Sequence, residues 1–385
     1  LKAGVITSAS FVIFGYIYFL MSDTADSSSA LSVQKGIEQP PSVNPDIVAK
    51  IRKAKKKEMS ADEYVEGILA GNTIILSKAI TLLESNSPRH FEKSQSVIEK
   101  CLLYGGKSVR IGITGVPGAG KSTFIESFGK HLTSSGKKVA VLAIDPSSTN
   151  TKGSILGDKT RMENLGNDQN AFIRPSPSSG TLGGVARKTR ESLILCEAAG
   201  FDTIIIETVG VGQSEIAVAA MVDFFLLVMI SGAGDELQGI KRGIMEMADL
   251  IAINKADGNN ILNADRAATE YRNALHLFPS SPSGWNPLVF TCSARENRGI
   301  MEIWQAIEEY VTLTKSSGYF TERRREQAVL RMHNTIDDCL RKSFYSNEEI
   351  RMLKPEMESR LRQGTITSYK AAWKLLNKYF GKDCG

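Results

Sequence analysis

Residues Gly115 to Ser122 read Gly-Val-Pro-Gly-Ala-Gly-Lys-Ser, between the apolar run Val109-Arg110-Ile111-Gly112-Ile113-Thr114 and the helically spaced segment Thr123-Phe124-Ile125-Glu126-Ser127-Phe128. A glycine-rich turn entered from a strand and left through a helix is a phosphate-binding loop, and it admits few folds. Glycines at 115, 118 and 120 let backbone N–H groups converge on an anion, and the following helix adds the positive end of its dipole. Lys121 then reaches the terminal phosphates and the Ser122 hydroxyl meets Mg²⁺, while Val116, Pro117, Ala119 and Thr123 complete the cradle.

Further apolar runs follow at Val139 to Ile144, Thr203 to Ile206, Phe224 to Met229, Ile251 to Ile253 and Leu288 to Phe290, with helical patterns between them. Continuous rather than alternating hydrophobicity means that both faces of each strand are covered. The fold class expected is therefore α/β, a P-loop NTPase with a mostly parallel, doubly wound sheet. Residues 1–45 form a hydrophobic segment and a Ser/Pro-rich linker, 46–106 an amino-terminal helical appendage opened by the capping box Ser60-Ala61-Asp62-Glu63, 107–314 the nucleotide domain, and 315–385 a helical arm. Val329, Met332, Ile336, Cys339 and Leu340 make an apolar seam on that arm, whose other faces carry charges such as Glu322-Arg323-Arg324-Arg325. The seam serves either intramolecular packing or self-association.

Asn254-Lys255-Ala256-Asp257 follows the strand Leu250 to Ile253, so it lies at the carboxyl end of the sheet, where open α/β sheets bind ligands. The Asp257 carboxylate can accept from guanine N1–H and its exocyclic amine, a pair that adenine lacks. Such a mismatch is worth on the order of 10⁴ in selectivity. Ser293-Ala294, just past another strand, suits a backbone contact to the guanine oxygen. The expected ligands are GTP and GDP.

Acids stand where a triphosphate needs its cation. Asp145 ends one strand, Glu207 another, and Asp158 lies in Gly157-Asp158-Lys159-Thr160-Arg161. With Ser122 they are the candidate magnesium set, and Lys121, Asp145 and Glu207 the candidate catalytic residues. Glu207-x-x-Gly210 departs from the Asp-x-x-Gly-Gln form of signalling GTPases, with the glutamine arriving only at Gln213, so hydrolysis by the isolated chain is expected to be slow. Asp235, Glu236, Gln238 and Lys241, in a loop of small residues, are expected to switch with nucleotide state.

The formal charge of +5 over 385 residues, without a basic–aromatic repeat, argues against a nucleic-acid surface. Five dispersed cysteines and four isolated histidines (His90, His131, His276, His333) lack metal-ligand spacing, which disfavours a nickel-delivering GTPase. Residues 3–21 are uncharged, mostly apolar and about long enough to span a bilayer. Three readings are open: a signal-anchor, the hydrophobic part of a cleaved targeting peptide, or sequence upstream of a start at Met21.

These motifs resemble the MeaB family over roughly Tyr64 to the carboxy-terminal helices, most specifically at Gly115 to Thr123, Asp145-Pro-Ser-Ser-Thr149, Gly153 to Met162, Glu207-Thr-Val-Gly-Val-Gly-Gln-Ser-Glu215 and Gly234 to Lys241. The resemblance implies a homodimeric GTPase chaperone that gates cofactor loading and release for adenosylcobalamin-dependent methylmalonyl-CoA mutase, without direct cobalamin binding being implied for this chain. It further implies Mg²⁺ chemistry at Asp145, Asp158 and Glu207, and a mutase-coupled switch at Asp235 to Lys241. Family members occupy the mitochondrial matrix in eukaryotes and the cytoplasm in bacteria, and residues 3–21 do not belong to the family pattern. An arginine-type kinase label once attached to relatives is disfavoured by Asn254 to Asp257, because a metabolite kinase has no need of guanine.

Overall fold

Ser60 caps the first helix among the described residues as its sequence predicts: its Oγ accepts from the Glu63 N–H at 3.2 Å while the Ser60 N–H donates to Glu63 Oε2 at 2.6 Å. The computed structural model describes residues 58–85, 87–145, 162–177, 182–208, 213–232 and 242–381. The capped helix α1 (Ala61–Leu69) leads to α2 (Thr73–Glu84) and α3 (Pro88–Leu102). Strands and helices then alternate: β1 (Val109–Gly115), α4 (Lys121–Ser134), β2 (Val139–Asp145), the short α5 (Glu163–Gly166), β3 (Ala171–Pro177), α6 (Leu182–Ala198) and β4 (Thr203–Thr208). They continue through α7 (Gln213–Ala219), β5 (Phe224–Ile230), α8 (Arg242–Met247), β6 (Leu250–Asn254), α9 (Ile261–Leu275), β7 (Leu288–Thr291) and α10 (Ile300–Ser316). Three more helices follow: α11 (Tyr319–Ser346), α12 (Glu348–Arg362) and α13 (Ser368–Phe380).

The seven strands form one sheet in the order β3-β2-β4-β1-β5-β6-β7, with every pairing parallel. Alternation along β5 explains its unbroken apolar run. Phe224, Leu226 and Val228 pack with Phe124 and Phe128 of α4 and Trp304 and Ile307 of α10. Phe225 joins Leu193 and Ile194 of α6, and Leu227 and Met229 meet Ala264, Ala268 and Tyr271 of α9. Each such side chain contributes about 1.5–3 kcal/mol by leaving water, so both faces must stay apolar. Gly112 of β1 is a packing requirement: a Cβ there would lie 2.8 Å from Val218 Cγ1 and 2.9 Å from Phe225 Cδ2.

Three features go beyond the sequence reading. The strand β3 was not evident, because Ala171-Phe-Ile-Arg-Pro-Ser-Pro177 has no apolar run; it is an edge strand, where proline needs no ladder donor. The amino-terminal helices are built into the core, since Ile68, Leu76, Ile80, Val97 and Cys101 share one buried cluster with Leu193, Ala198 and Phe201.

The third feature is at the start of α11, where the arginines are not all solvated. Arg324 grips Asp223 with two nitrogens, Nε to Oδ1 at 2.7 Å and Nη2 to Oδ2 at 2.6 Å, and also donates to the carbonyls of Gly106 and Ser108. Arg323 donates to the Tyr310 hydroxyl at 3.1 Å. Phe320 is the buried apolar anchor of α11, whereas the seam residues Val329, Met332, Ile336 and Leu340 stand about half exposed. They are not packed away within the chain. Among the described residues no helix is long and apolar enough to cross a membrane, and residues 3–21 lie outside them.

Candidate functional site

The sheet delivers β1 to its carboxyl edge between β4 and β5, and the glycine-rich turn begins there. Gly115 is obligatory on steric grounds: a Cβ would fall 1.9 Å from the Val228 carbonyl oxygen of β5. Gly120 caps α4 in the left-handed conformation at φ 83°, and a Cβ there would lie 2.9 Å from Asn254 Nδ2. Between them the turn residues Val116, Pro117, Gly118 and Ala119 bring the chain to the amino end of a 14-residue helix, an electropositive anion site.

Lys121 is the first residue of α4, and its Nζ donates to the carbonyls of Gly115 at 2.8 Å and Val116 at 3.3 Å, arching back over the turn. Burial lowers its pKa, while Glu207 and Glu215 pull it back upward. The ammonium is thus poised among carboxylates and carbonyls at the anion cradle. Ser122 Oγ donates to Glu207 Oε1 at 3.2 Å, and Thr123 follows in the first helical turn. The Ser122–Glu207 pair places two hard oxygen donors side by side, a donor set that fits Mg²⁺ rather than a soft metal. Register explains the placement, because Glu207 of β4 pairs with Ile113 of β1 on one side and Ala143 of β2 on the other. The β2 backbone ends two residues later, at Asp145. Thr208 Oγ1, fully buried, donates to Thr114 Oγ1 at 2.7 Å and locks β4 to β1 beneath the site.

The second half of the site is assembled by Asn254, which is 2% exposed. Its Nδ2 donates to the Ala119 carbonyl at 2.8 Å, and its Oδ1 accepts from the Ala294 N–H at 3.1 Å. One carboxamide therefore ties the phosphate turn, the end of β6 and the loop after β7 together. Ser293 Oγ donates to Asp257 Oδ2 at 2.6 Å and fixes the carboxylate, while the Glu296 N–H donates back to Ser293 Oγ at 3.2 Å. Lys255 adopts φ 60°, uncommon for a residue with a side chain, and its carbonyl accepts from Asn260 Nδ2 at 2.8 Å. The Ala256 N–H donates to the Cys292 carbonyl at 2.9 Å, closing the base-side loop.

The structure therefore brings together Gly115 to Thr123, Glu207, Asn254, Lys255, Asp257, Ser293 and Ala294. The sequence reading gave a backbone contact of Ser293-Ala294 to the guanine oxygen; the Ala294 N–H donates to Asn254 Oδ1. Asp158, Asp235, Glu236, Gln238 and Lys241 lie outside the described residues. Sequence reasoning did not single out Thr114, Thr208, Glu215 or Asn260. For the two threonines, polar residues inside otherwise apolar strand runs were the available signal.

Residues 76–349 match the model of a family described as methylmalonyl Co-A mutase-associated GTPase MeaB. A probable GTPase of Mycobacterium tuberculosis is 48% identical over 323 residues, covering 84% of this chain and 96% of its own. The mitochondrial methylmalonic aciduria type A homolog of Mus musculus is 46% identical over 334 residues, covering 84% and 80%. A crystal structure titled LAO/AO transport system kinase superposes with a TM-score of 0.68 at 39% identity, covering 82% of this chain and 96% of that one.

Proposed function

Because the chain belongs to the MeaB family of methylmalonyl-CoA mutase-associated GTPases, we propose that it hydrolyses GTP to GDP and phosphate and couples that cycle to adenosylcobalamin loading, protection and reactivation of methylmalonyl-CoA mutase. The observation that carries the nucleotide half of this reading is the Asn254 carboxamide, which holds the phosphate turn and the guanine-side loop in one frame. In this reading Asp257, steadied by Ser293, accepts from the guanine N1–H and amine. Lys121 leaves the Gly115 and Val116 carbonyls for the β- and γ-phosphate oxygens. Ser122, with Glu207, Asp145 and Asp158 as further partners, would hold Mg²⁺, which would supply neutralising charge to the phosphates. Among the described residues, Glu207, in contact with Ser122 and electrostatically coupled to Lys121, is the carboxylate placed to orient an attacking water.

Nothing in this arrangement requires rapid hydrolysis without a partner, and the segment carrying Asp235, Glu236, Gln238 and Lys241 is proposed as the switch that the mutase engages. The half-exposed seam of α11 supports a homodimer, since a second copy would cover Val329, Met332, Ile336 and Leu340. The mitochondrial relative supports a mitochondrial-matrix location for a eukaryotic chain; the mycobacterial one supports the cytoplasm for a bacterial chain.

The test is GTP turnover by the full chain with and without methylmalonyl-CoA mutase, for wild type and Lys241→Ala. Stimulation by the mutase that is blunted in the variant, with unchanged GTP affinity, supports the reading. Turnover indifferent to the mutase removes the chaperone half. Phosphate transfer from GTP to arginine outpacing hydrolysis would favour the kinase named for the structural relative.

A further inference from the structure

Asn260 stands at the N-cap of α9, where an asparagine ordinarily bonds back to the first turn, yet its side chain makes no cap hydrogen bond. The carboxamide is turned to another task. Its Oδ1 accepts from Ser231 Oγ at 2.8 Å, and its Nδ2 donates to the Lys255 carbonyl at 2.8 Å. The Asn260 backbone N–H donates to the Asp257 carbonyl at 3.0 Å. One residue therefore holds both ends of Lys255-Ala256-Asp257.

The sheet shows why a clamp is needed there. β5 and β6 pair in parallel as far as Ile230 and Asn254, and both strands end at that pair. The residues next in register are Ser231 and Lys255. Lys255 leaves the ladder at φ 60°, a backbone that a residue with a side chain disfavours unless its surroundings impose it. The Asn260 carboxamide spans the gap and bonds to both residues. Elsewhere the tetrad is anchored on the β7 side, through the Ala294 N–H, the Cys292 carbonyl and the Ser293 hydroxyl. Lys255 is gripped from the β5 side.

Among the described residues, the non-glycine residues at positive φ are Lys255 and Asn297, one in each of the two loops that meet at the Asp257–Ser293 bond. Backbone strain of this kind collects where a surface is shaped for a ligand. The turn also aims the Lys255 stem: a Cβ placed on Gly120 would lie 3.8 Å from Lys255 Cε, so the side chain runs beside the phosphate turn. A loop held this way is preorganised, and releasing it adds the cost of re-ordering to each binding event.

Granted that the site takes GTP and GDP, we propose that Asn260 is a positioning residue for guanine-nucleotide binding, acting through the Lys255 backbone and braced by Ser231. The clamp lies on the base side, so it bears on GDP and GTP alike.

The experiment is stopped-flow release of N-methylanthraniloyl GDP, and of the matching non-hydrolysable GTP analogue, from the full chain with Mg²⁺. Thermal unfolding of the nucleotide-free protein runs beside it. Asn260→Ala should speed release of both nucleotides about tenfold and by the same factor. Asn260→Asp keeps an acceptor for Ser231 and suits the amino end of a helix, but it sets an oxygen against the Lys255 carbonyl. It should release nucleotide at least as fast as Asn260→Ala while unfolding at the wild-type temperature. Ser231→Ala leaves the bond to Lys255 in place and should cost only about two- to threefold. Lys255→Asn installs a side chain that tolerates the left-handed backbone, so Asn260→Ala should cost less in that background than in wild type. Release faster by less than about twofold in both Asn260 variants overturns the proposal. So does fast release from Asn260→Asp matched by earlier unfolding, since Asn260 would then be a structural cap alone. A wild-type chain that retains no guanine nucleotide overturns the GTP reading itself, and the positioning role with it.

Discussion

Replacing Asn254 with alanine tests the joint on which the site is built. The side chain is 2% exposed, and its Nδ2 and Oδ1 bond to Ala119 O at 2.8 Å and Ala294 N at 3.1 Å. Truncation orphans a carbonyl and an N–H, each worth about 1–3 kcal/mol when left unpaired in the interior. Water entering the emptied space recovers part of this, so the expected loss of stability is about 2–4 kcal/mol. For a chain of 385 residues that lowers the melting temperature by roughly 2.5–5 °C. Asn254→Asp sharpens the test: it keeps the acceptor for Ala294 but sets an oxygen against the Ala119 carbonyl. The isosteric change should therefore cost at least as much as alanine. Urea unfolding gives the stability, and a fluorescent guanine nucleotide gives the affinity, expected to fall at least about tenfold because the phosphate turn is no longer held. A cost below about 0.5 kcal/mol with affinity intact would refute the reasoning.

Lys121→Ala removes the only lysine in the phosphate turn, and with it charge-assisted bonds to the outer phosphates. GTP affinity should fall about a hundredfold or more by calorimetry, with little change in unfolding free energy. Arg324→Ala leaves Asp223, 2% exposed, without its guanidinium, and should cost about 3–5 kcal/mol while exposing α11 to limited proteolysis. Asp168 is held at a pKa of about 2 by the Lys130 ammonium, then by the Asn170 N–H and Thr133 hydroxyl. A carboxylate with a depressed folded pKa stabilises above its ordinary value of 3.8, and that contribution is lost as pH falls toward 2. Solvent screening reduces it to about 1 kcal/mol, so Asp168→Asn should be less stable than wild type at neutral pH, and the two should converge near pH 2 in urea titrations.

The parallel sheet was legible because its five interior strands are buried on both sides and announce themselves, with the β7 edge, as apolar runs. The seventh did not: β3 is an edge whose Arg174, Pro175 and Pro177 break the pattern without breaking the pairing to β2. The two nucleotide motifs were equally plain, since each is contiguous. Their junction was not. Asn254 bonds to Ala119, 135 residues earlier, and only the β1-β5-β6 neighbourhood brings them together. The same limit hid the role of Arg323 and Arg324. A run of three arginines on a helix suggests a wet surface, and nothing local reveals that Asp223 and Tyr310 lie beneath it.

The most direct test of the central claim is calorimetric binding of GTP, ATP and xanthosine triphosphate, each with Mg²⁺, to wild type and Asp257→Asn. The account predicts strong preference for GTP in the wild type. The variant should lose GTP, gain little for ATP and improve toward xanthosine triphosphate, whose ring carbonyl accepts from the new amide. Equal affinity for GTP and ATP in the wild type, or unaltered discrimination in Asp257→Asn, would contradict it.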